Sequence, residues 1–158
     1  MRRMLKLLPY SLSVILILSG CNTKIETNEE DLFKYKNAYV GDNSAVLHIV
    51  DQTMDSEKFK GLELQTKEKP YGIILNYDGK RSEETYKKTV IYNATYLFAL
   101  IQNAEWITFN FDGKEYKIEK QELRDWYGED FSKLQSEKEI EALIQKNLDD
   151  ENRVNQLF

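Results

Sequence analysis

The amino-acid sequence predicts an α+β fold in which two antiparallel β-hairpins form a small sheet packed against helices, in a single domain. Three observations predict it. Asp112-Gly113 separates two runs of alternating apolar residues, an earlier pair of alternating runs flanks Lys69-Pro70, and the segments between and after them repeat apolar residues at helical spacing. The chain has 158 residues, of which 41% are hydrophobic and 12% aromatic, with only two prolines. That length and composition suit one hydrophobic core and leave no room for a second. The expected organisation is a leader over residues 1–20, a polar tether over 21–31, the α+β domain over 32–149 and a flexible tail over 150–158.

Arg2, Arg3 and Lys6 form a positive start, and the apolar run from Leu7 to Leu18 has the length of a signal-peptide core. It is too short to cross a bilayer, which takes about 20 apolar residues. Leu18-Ser19-Gly20-Cys21 resembles the lipobox of bacterial lipoproteins. The resemblance implies that the Cys21 thiol receives a diacylglyceryl group and that cleavage falls between Gly20 and Cys21. Two acyl chains on one sulfur anchor durably where a single chain binds reversibly. An ordinary secretory signal with a chance cysteine and an uncleaved amino-terminal anchor are the alternatives. The expected location is therefore the extracytoplasmic face of the cell membrane, with Asn22 to Asp31 as the tether.

Loss of the leader removes three cations and no acid, taking the net charge from −5 to −8. An acidic surface disfavours DNA, RNA and anionic lipid head groups, so no nucleic-acid partner is expected. Cys21 is the lone cysteine, which excludes an intrachain disulfide and a thiolate metal cluster.

Within the domain, Gly41-Asp42-Asn43-Ser44 precedes Ala45, Val46, Ile49 and Val50, a cap followed by a first helix. The same letters could form an anion-binding nest, but a turn and cap explains them fully. Leu62, Leu64 and Thr66, then Tyr71, Ile73, Leu75 and Tyr77, alternate as the first hairpin, which Asp78-Gly79 and the charged stretch Lys80 to Lys88 close as loop. Asn93 is expected to cap a second helix carrying Ala94, Leu97, Phe98 and Ile101 on one face. Tyr86 to Tyr92 fits either its first turns or a separate extended piece.

Asp112-Gly113 suits a type I′ turn and fixes the register of the second hairpin, setting Phe111 opposite Lys114, Phe109 opposite Tyr116 and Ile107 opposite Ile118. Trp106, Thr108 and Asn110 then point to the other face. A short helix over Gln121 to Tyr127 stops at Gly128, and Ser136-Glu137-Lys138-Glu139 reads as a capping box opening a last helix with Ile140, Leu143, Ile144 and Leu148. Its tail from Asp149 is expected to fray.

His48 is the single imidazole, so sites built from paired histidines and Ser-His or Cys-His nucleophiles are out of reach, and His48 itself reads as a partly exposed helix residue. No metal, cofactor or catalytic residue is expected. Carboxylate-only catalysis stays formally open, but no spacing selects a pair. The ten tyrosines, Trp106 and Trp126 could supply an aromatic surface. Trp106, with Thr108 and Asn110, is the better candidate for it, unless the second sheet face is also covered and Trp106 is core.

The run Tyr35 to Ser44, then Gly61 to Thr66 with Pro70-Tyr71-Gly72, then Asn93-Ala94 with Leu97 to Ile101, resembles the domain-of-unknown-function family numbered 4825 over about Leu32 to Gly128. In that family the domain is also found appended to membrane metallopeptidases similar to the antirepressor sensors of β-lactam resistance. The resemblance implies an accessory or sensing role. This chain lacks the peptidase's zinc-binding helix motif, so no proteolysis carries over. The expectation is a non-enzymatic, lipid-anchored binding or sensing module whose partner is an envelope protein, a peptide or a cell-wall fragment. A carboxylate-based envelope hydrolase and a passive envelope or stress lipoprotein are the alternatives.

Overall fold

The computed structural model describes residues 31–158, and these build one four-stranded sheet out of two hairpins that lie apart in sequence. The leader, Cys21 and the tether through residue 30 lie outside the described residues. Strands β1 (Phe59–Gln65) and β2 (Gly72–Tyr77) pair antiparallel, as do β3 (Trp106–Phe111) and β4 (Lys114–Glu119). The two hairpins join through β2 and β3, which run parallel, giving the order β1-β2-β3-β4. The sheet is therefore mixed rather than purely antiparallel. A parallel pair cannot be closed by a tight turn and needs a crossover of a dozen or more residues.

Helix α2 (Glu83–Leu100) is that crossover, and it corrects two expectations. The charged stretch Lys80 to Lys88 is mostly helix rather than loop, because Ser82 caps it by accepting from Thr85 N at 3.1 Å, and Glu83 and Glu84 sit favourably at the positive end of the helix dipole. Such a cap contributes about 1 kcal/mol. Asn93 lies mid-helix and fully buried, not at a cap. Its amide donates to Met54 O and Tyr77 Oη and its carbonyl accepts from Met54 N, tying the loop before β1 to β2. From Tyr86 onward nearly every residue of α2 is buried, so the helix has no solvent stripe to reveal where it begins.

Helix α1 (Asn43–Asp51) starts where expected, with Asp42 Oδ1 accepting from Ala45 N at 3.0 Å. Helix α3 (Lys120–Tyr127) stops at Gly128, whose φ of 70° is left-handed. Helix α4 (Glu137–Leu148) is capped by Ser136, but only half the expected capping box forms, since Glu139 reaches back to Gln135 N instead of the cap residue. The tail is not loose. Helix α5 (Glu151–Asn155) buries Val154, while Trp126 Nε1 donates to Arg153 O and an Arg153 guanidinium N–H donates back to Trp126 O.

Residue pairing in the second hairpin matches the expected register, from Phe111 with Lys114 to Ile107 with Ile118. The turn itself differs from type I′, because φ is positive at Gly113 and not at Asp112. On the helix-facing side, Ile73 and Leu75 of β2 and Ile107 and Phe109 of β3 are fully buried beneath α2, which also packs against α1, α4 and α5. One face of the sheet is thus layered with helices.

Candidate functional site

The last carbonyls of a helix have no partner within it, and how α2 meets that need shapes a cleft. After Leu100 the chain turns through Ile101 to Ala104, and Gln102 N donates to Ala38 O at 2.9 Å. Lys36, just beyond a 3-10 turn over Leu32–Tyr35, reaches in with its Nζ 2.9 Å from both Ala99 O and Ser132 O. Lys120, the first residue of α3, donates to Gln102 O at 3.0 Å. Arg124 follows four residues later, on the same side of that helix as Lys120. The negative end of the α2 dipole explains why cations gather here.

Between these groups lies a cleft of about 470 Å³ with Phe98 and Ala99 among its walls and Glu105 at its edge. This volume is in the range of small-molecule sites. Lys120 is buried, only 9% exposed, and its ammonium lies over the Phe98 ring. Burial holds the Lys120 amine below the usual lysine range, with Arg124 and Lys36 pushing the same way and Glu105 and Asp130 opposing. Lys36 is also held low, by burial first, against the pull of Asp130. Asp130 pairs with Arg124 at 3.3 Å and accepts from Ser132 Oγ and N, and those bonds to Ser132, before the nearby cations, keep its carboxyl below the ordinary range.

Two guanidinium Nε atoms are buried without an acceptor among the described residues, those of Arg124 and Arg153. The Arg153 group packs against the Trp126 ring, whereas Arg124 lines the cleft. An unsatisfied buried donor of this kind costs about 1–3 kcal/mol.

The residues proposed from sequence lie elsewhere. Trp106, Thr108 and Asn110 do occupy the strand positions opposite the helix-facing ones, but no protruding aromatic patch forms there. Trp106 lies flat on its own sheet over Gly72, where an added Cβ would fall 2.1 Å from the indole, and its Nε1 donates to Pro70 O at 3.0 Å. Thr108 is 8% exposed, and Asn110 donates to Asn76 Oδ1 at 2.9 Å. None of the three lines the cleft. Among the described residues, the large apolar side chains standing most in solvent are Tyr39 and Phe158. His48 is exposed, bonded through Nδ1 to its own helix at Ser44 O and stacked on Tyr35. Cys21 lies outside the described residues.

A family model, Domain of unknown function (DUF4825), matches residues 32–121. The chain belongs to the DUF4825 family. The match ends at Gln121 rather than near Gly128, so the DUF4825 region holds Lys36, Glu105 and Lys120, while Arg124 and Ser132 of the same cleft lie beyond it. No curated protein and no solved structure matches the chain.

The sequence did contain one signal for this site. Lys120, Leu123 and Tyr127 fall at i, i+3 and i+7 and are the buried residues of α3, so a lysine occupies a position on the apolar stripe. Lys36 gave no such signal, because its role depends on where α2 ends. Among the described residues, no group of three or more His, Cys, Asp or Glu side chains is arranged to hold a metal ion. A second cleft of about 460 Å³, beside Met54 and Leu148, has no comparable convergence of charge.

Proposed function

We propose that this DUF4825 protein is a lipid-anchored binding or sensing module on the extracytoplasmic face of the membrane, with the cationic cleft at the end of α2 as its ligand site. The anchor reading rests on Leu18-Ser19-Gly20-Cys21 and the short apolar run before it. The observation that carries the binding reading is the convergence of the buried Lys120 with Lys36 and Arg124 on one cleft. Convergent polar groups in a concave site are how ligand pockets fix orientation. The hydrolase reading needs two facing carboxyl groups that titrate apart. Glu137 is raised, chiefly by burial, and also bonds to Asp31, yet its carboxylate accepts from Leu32 N and the pair lines neither cleft. That arrangement fastens the start of the domain and favours binding over hydrolysis.

Two measurements on protein from a bacterial host test the proposal. Intact mass and membrane fractionation of wild type against Cys21→Ala should show loss of residues 1 to 20 and gain of a diacylglyceryl group only in wild type. Native mass spectrometry should then show a small bound species that Lys120→Met loses. A soluble, unlipidated wild type would overturn the anchor, and an identical bound species in both proteins would overturn the site.

A further inference from the structure

Resting on the anchor and the cleft proposed above, we infer that the pole of the domain at the end of α2 is its docking surface on the bilayer, where the cations of the cleft meet the phosphates of anionic phospholipid. Helix α2 sets the two poles, because its 18 residues span about 27 Å. At its start lie Glu83, which accepts from Lys114 beside the Asp112-Gly113 turn, Tyr86, whose ring packs on Phe111, and Lys87, which donates to Asn155 of α5. At its end lie the cleft and, since Gly72 pairs with Trp106 and Glu105 N donates to Tyr71 O, the loop from Thr66 to Tyr71. The domain also begins at this second pole: Leu32 N donates to Glu137 in the first turn of α4, and Lys36 reaches Ala99 O in the last turn of α2.

Chain length and charge select this pole. Ten peptide units join Cys21 to Asp31 and reach about 35 Å at full extension. Bringing the start of α2 to a bilayer that holds Cys21 would use most of that reach along the length of the helix, whereas bringing the end of α2 there uses little of it. An acidic chain is repelled by anionic lipid as a whole, so the part that can approach is the part where cations prevail. Lys36, Lys120 and Arg124 line the cleft against one carboxylate, Glu105, in a chain whose net charge is −5. Among the described residues, Lys36 and Lys120 form no salt bridge and bond only to backbone carbonyls. Lys133 stands next to Ser132 on the rim with its side chain 81% exposed, and the exposed loop at the same pole carries Lys67 and Lys69 around Glu68. Anionic lipid strengthens binding by about fivefold for each lysine or arginine near its surface.

The test places the isotope-labelled protein from a bacterial host in nanodiscs of phosphatidylcholine alone or of phosphatidylcholine with phosphatidylglycerol, each doped with a lipid that carries a nitroxide on its head group. The backbone NMR signals of Asn37, Gln102, Gln121 and Ser132 should be lost to paramagnetic broadening while those of Gly79, Glu83, Gly113 and Asn155 survive. The loss should be greater on the anionic discs, and Arg124→Gln and Lys133→Gln should each reduce that difference. Lys133 is exposed, so its variant keeps the test decisive if Arg124→Gln disturbs folding. Broadening that is strongest at Gly79 and Gly113, or even over both poles, would overturn the docking surface and leave the anchor standing, because the protein still rides on the discs. Equal broadening on the two compositions, or variants that leave the difference unchanged, would overturn the part given to the cations. A chain that does not stay with the discs would overturn the anchor and the inference together.

Discussion

The exposed face of the sheet at Trp106 and the cleft at the end of α2 invite comparison, because each gathers polar and aromatic groups beside a cation. At Trp106 the partners come from the same sheet: the indole N–H meets Pro70 O, Asn110 meets Asn76, and Lys117 lies 5.4 Å above the ring. In the cleft the cations arrive from separated stretches of chain, and one guanidinium donor is left unmatched. The first region is closed on itself and the second is not. The difference lies in where the partners come from: one sheet supplies them at Trp106, and distant stretches of chain supply them at the cleft.

Breaking the closed region should give the largest effect on stability. Gly72→Ala forces the Trp106 ring off the sheet, since the new Cβ would lie 2.1 Å from it. A loss of about 1–3 kcal/mol is expected by chemical denaturation, as for overpacking generally. In a Trp106→Ala background the same change should cost much less, and equal costs in the two backgrounds would refute the contact as the cause.

The open region should respond through charge. The folded state holds the Lys120 amine below its ordinary value, so over the window between the folded and unfolded values the unfolded chain binds more protons. Unfolding takes up a proton there, and stability gains with rising pH until the ordinary lysine range is passed. Measured against Lys120→Met, the wild type should close any stability gap as pH climbs through that window. A difference between the two that stays constant with pH would count against a strained ammonium.

Asp130→Asn leaves Arg124 without its acidic partner and raises the positive charge of the cleft. An anionic probe should bind about two- to fivefold tighter, the scale of a partly exposed ion pair, and weaker binding would mean that Asp130 orients Arg124 more than it neutralises it. The smallest change belongs to Lys117→Ala, which removes the cation over Trp106. About 0.5 kcal/mol is expected from thermal unfolding, and a much larger loss would show that the exposed face is less self-sufficient than its hydrogen bonds suggest.

How far the sequence announced these features depends on whether the determinant was local. Asp42 before Ala45, Ser136 before Glu139 and Gly128 after Tyr127 act within a few residues, and the helix ends they mark fall where the sequence placed them. Asp112-Gly113 fixed a register by counting outward, even though the turn is not the expected type. The start of α2 is not legible because Lys80 to Lys88 is charged while the rest of the helix is mostly buried, leaving no amphipathic period to follow backward. Asn93 resembles a cap in the sequence because its actual partners, Met54 and Tyr77, are distant in it. The parallel pairing of β2 and β3 and the docking of α5 on Trp126 are likewise long-range facts. For the site, the phase of Trp106 is legible in the strand pattern, but its seat over Gly72 and the gathering of Lys36, Lys120 and Arg124 are made only by the fold.

The seam between the hairpins also has a kinetic meaning. Each hairpin closes over a few residues, Thr66 to Tyr71 in one and Asp112-Gly113 in the other, whereas β2 and β3 can meet only after the residues from Asp78 to Glu105 have been gathered between them. Closing that longer loop costs more chain entropy, and such non-local pairings slow folding. Helix α2 shortens the distance by coiling 18 of those residues at 1.5 Å each. The order of events then favours two independent hairpins and a helix first, with the parallel seam as the late step. The cleft is less tied to that seam: the second hairpin itself brings Lys120 beside Glu105, and no residue of β1 or β2 lines the cleft.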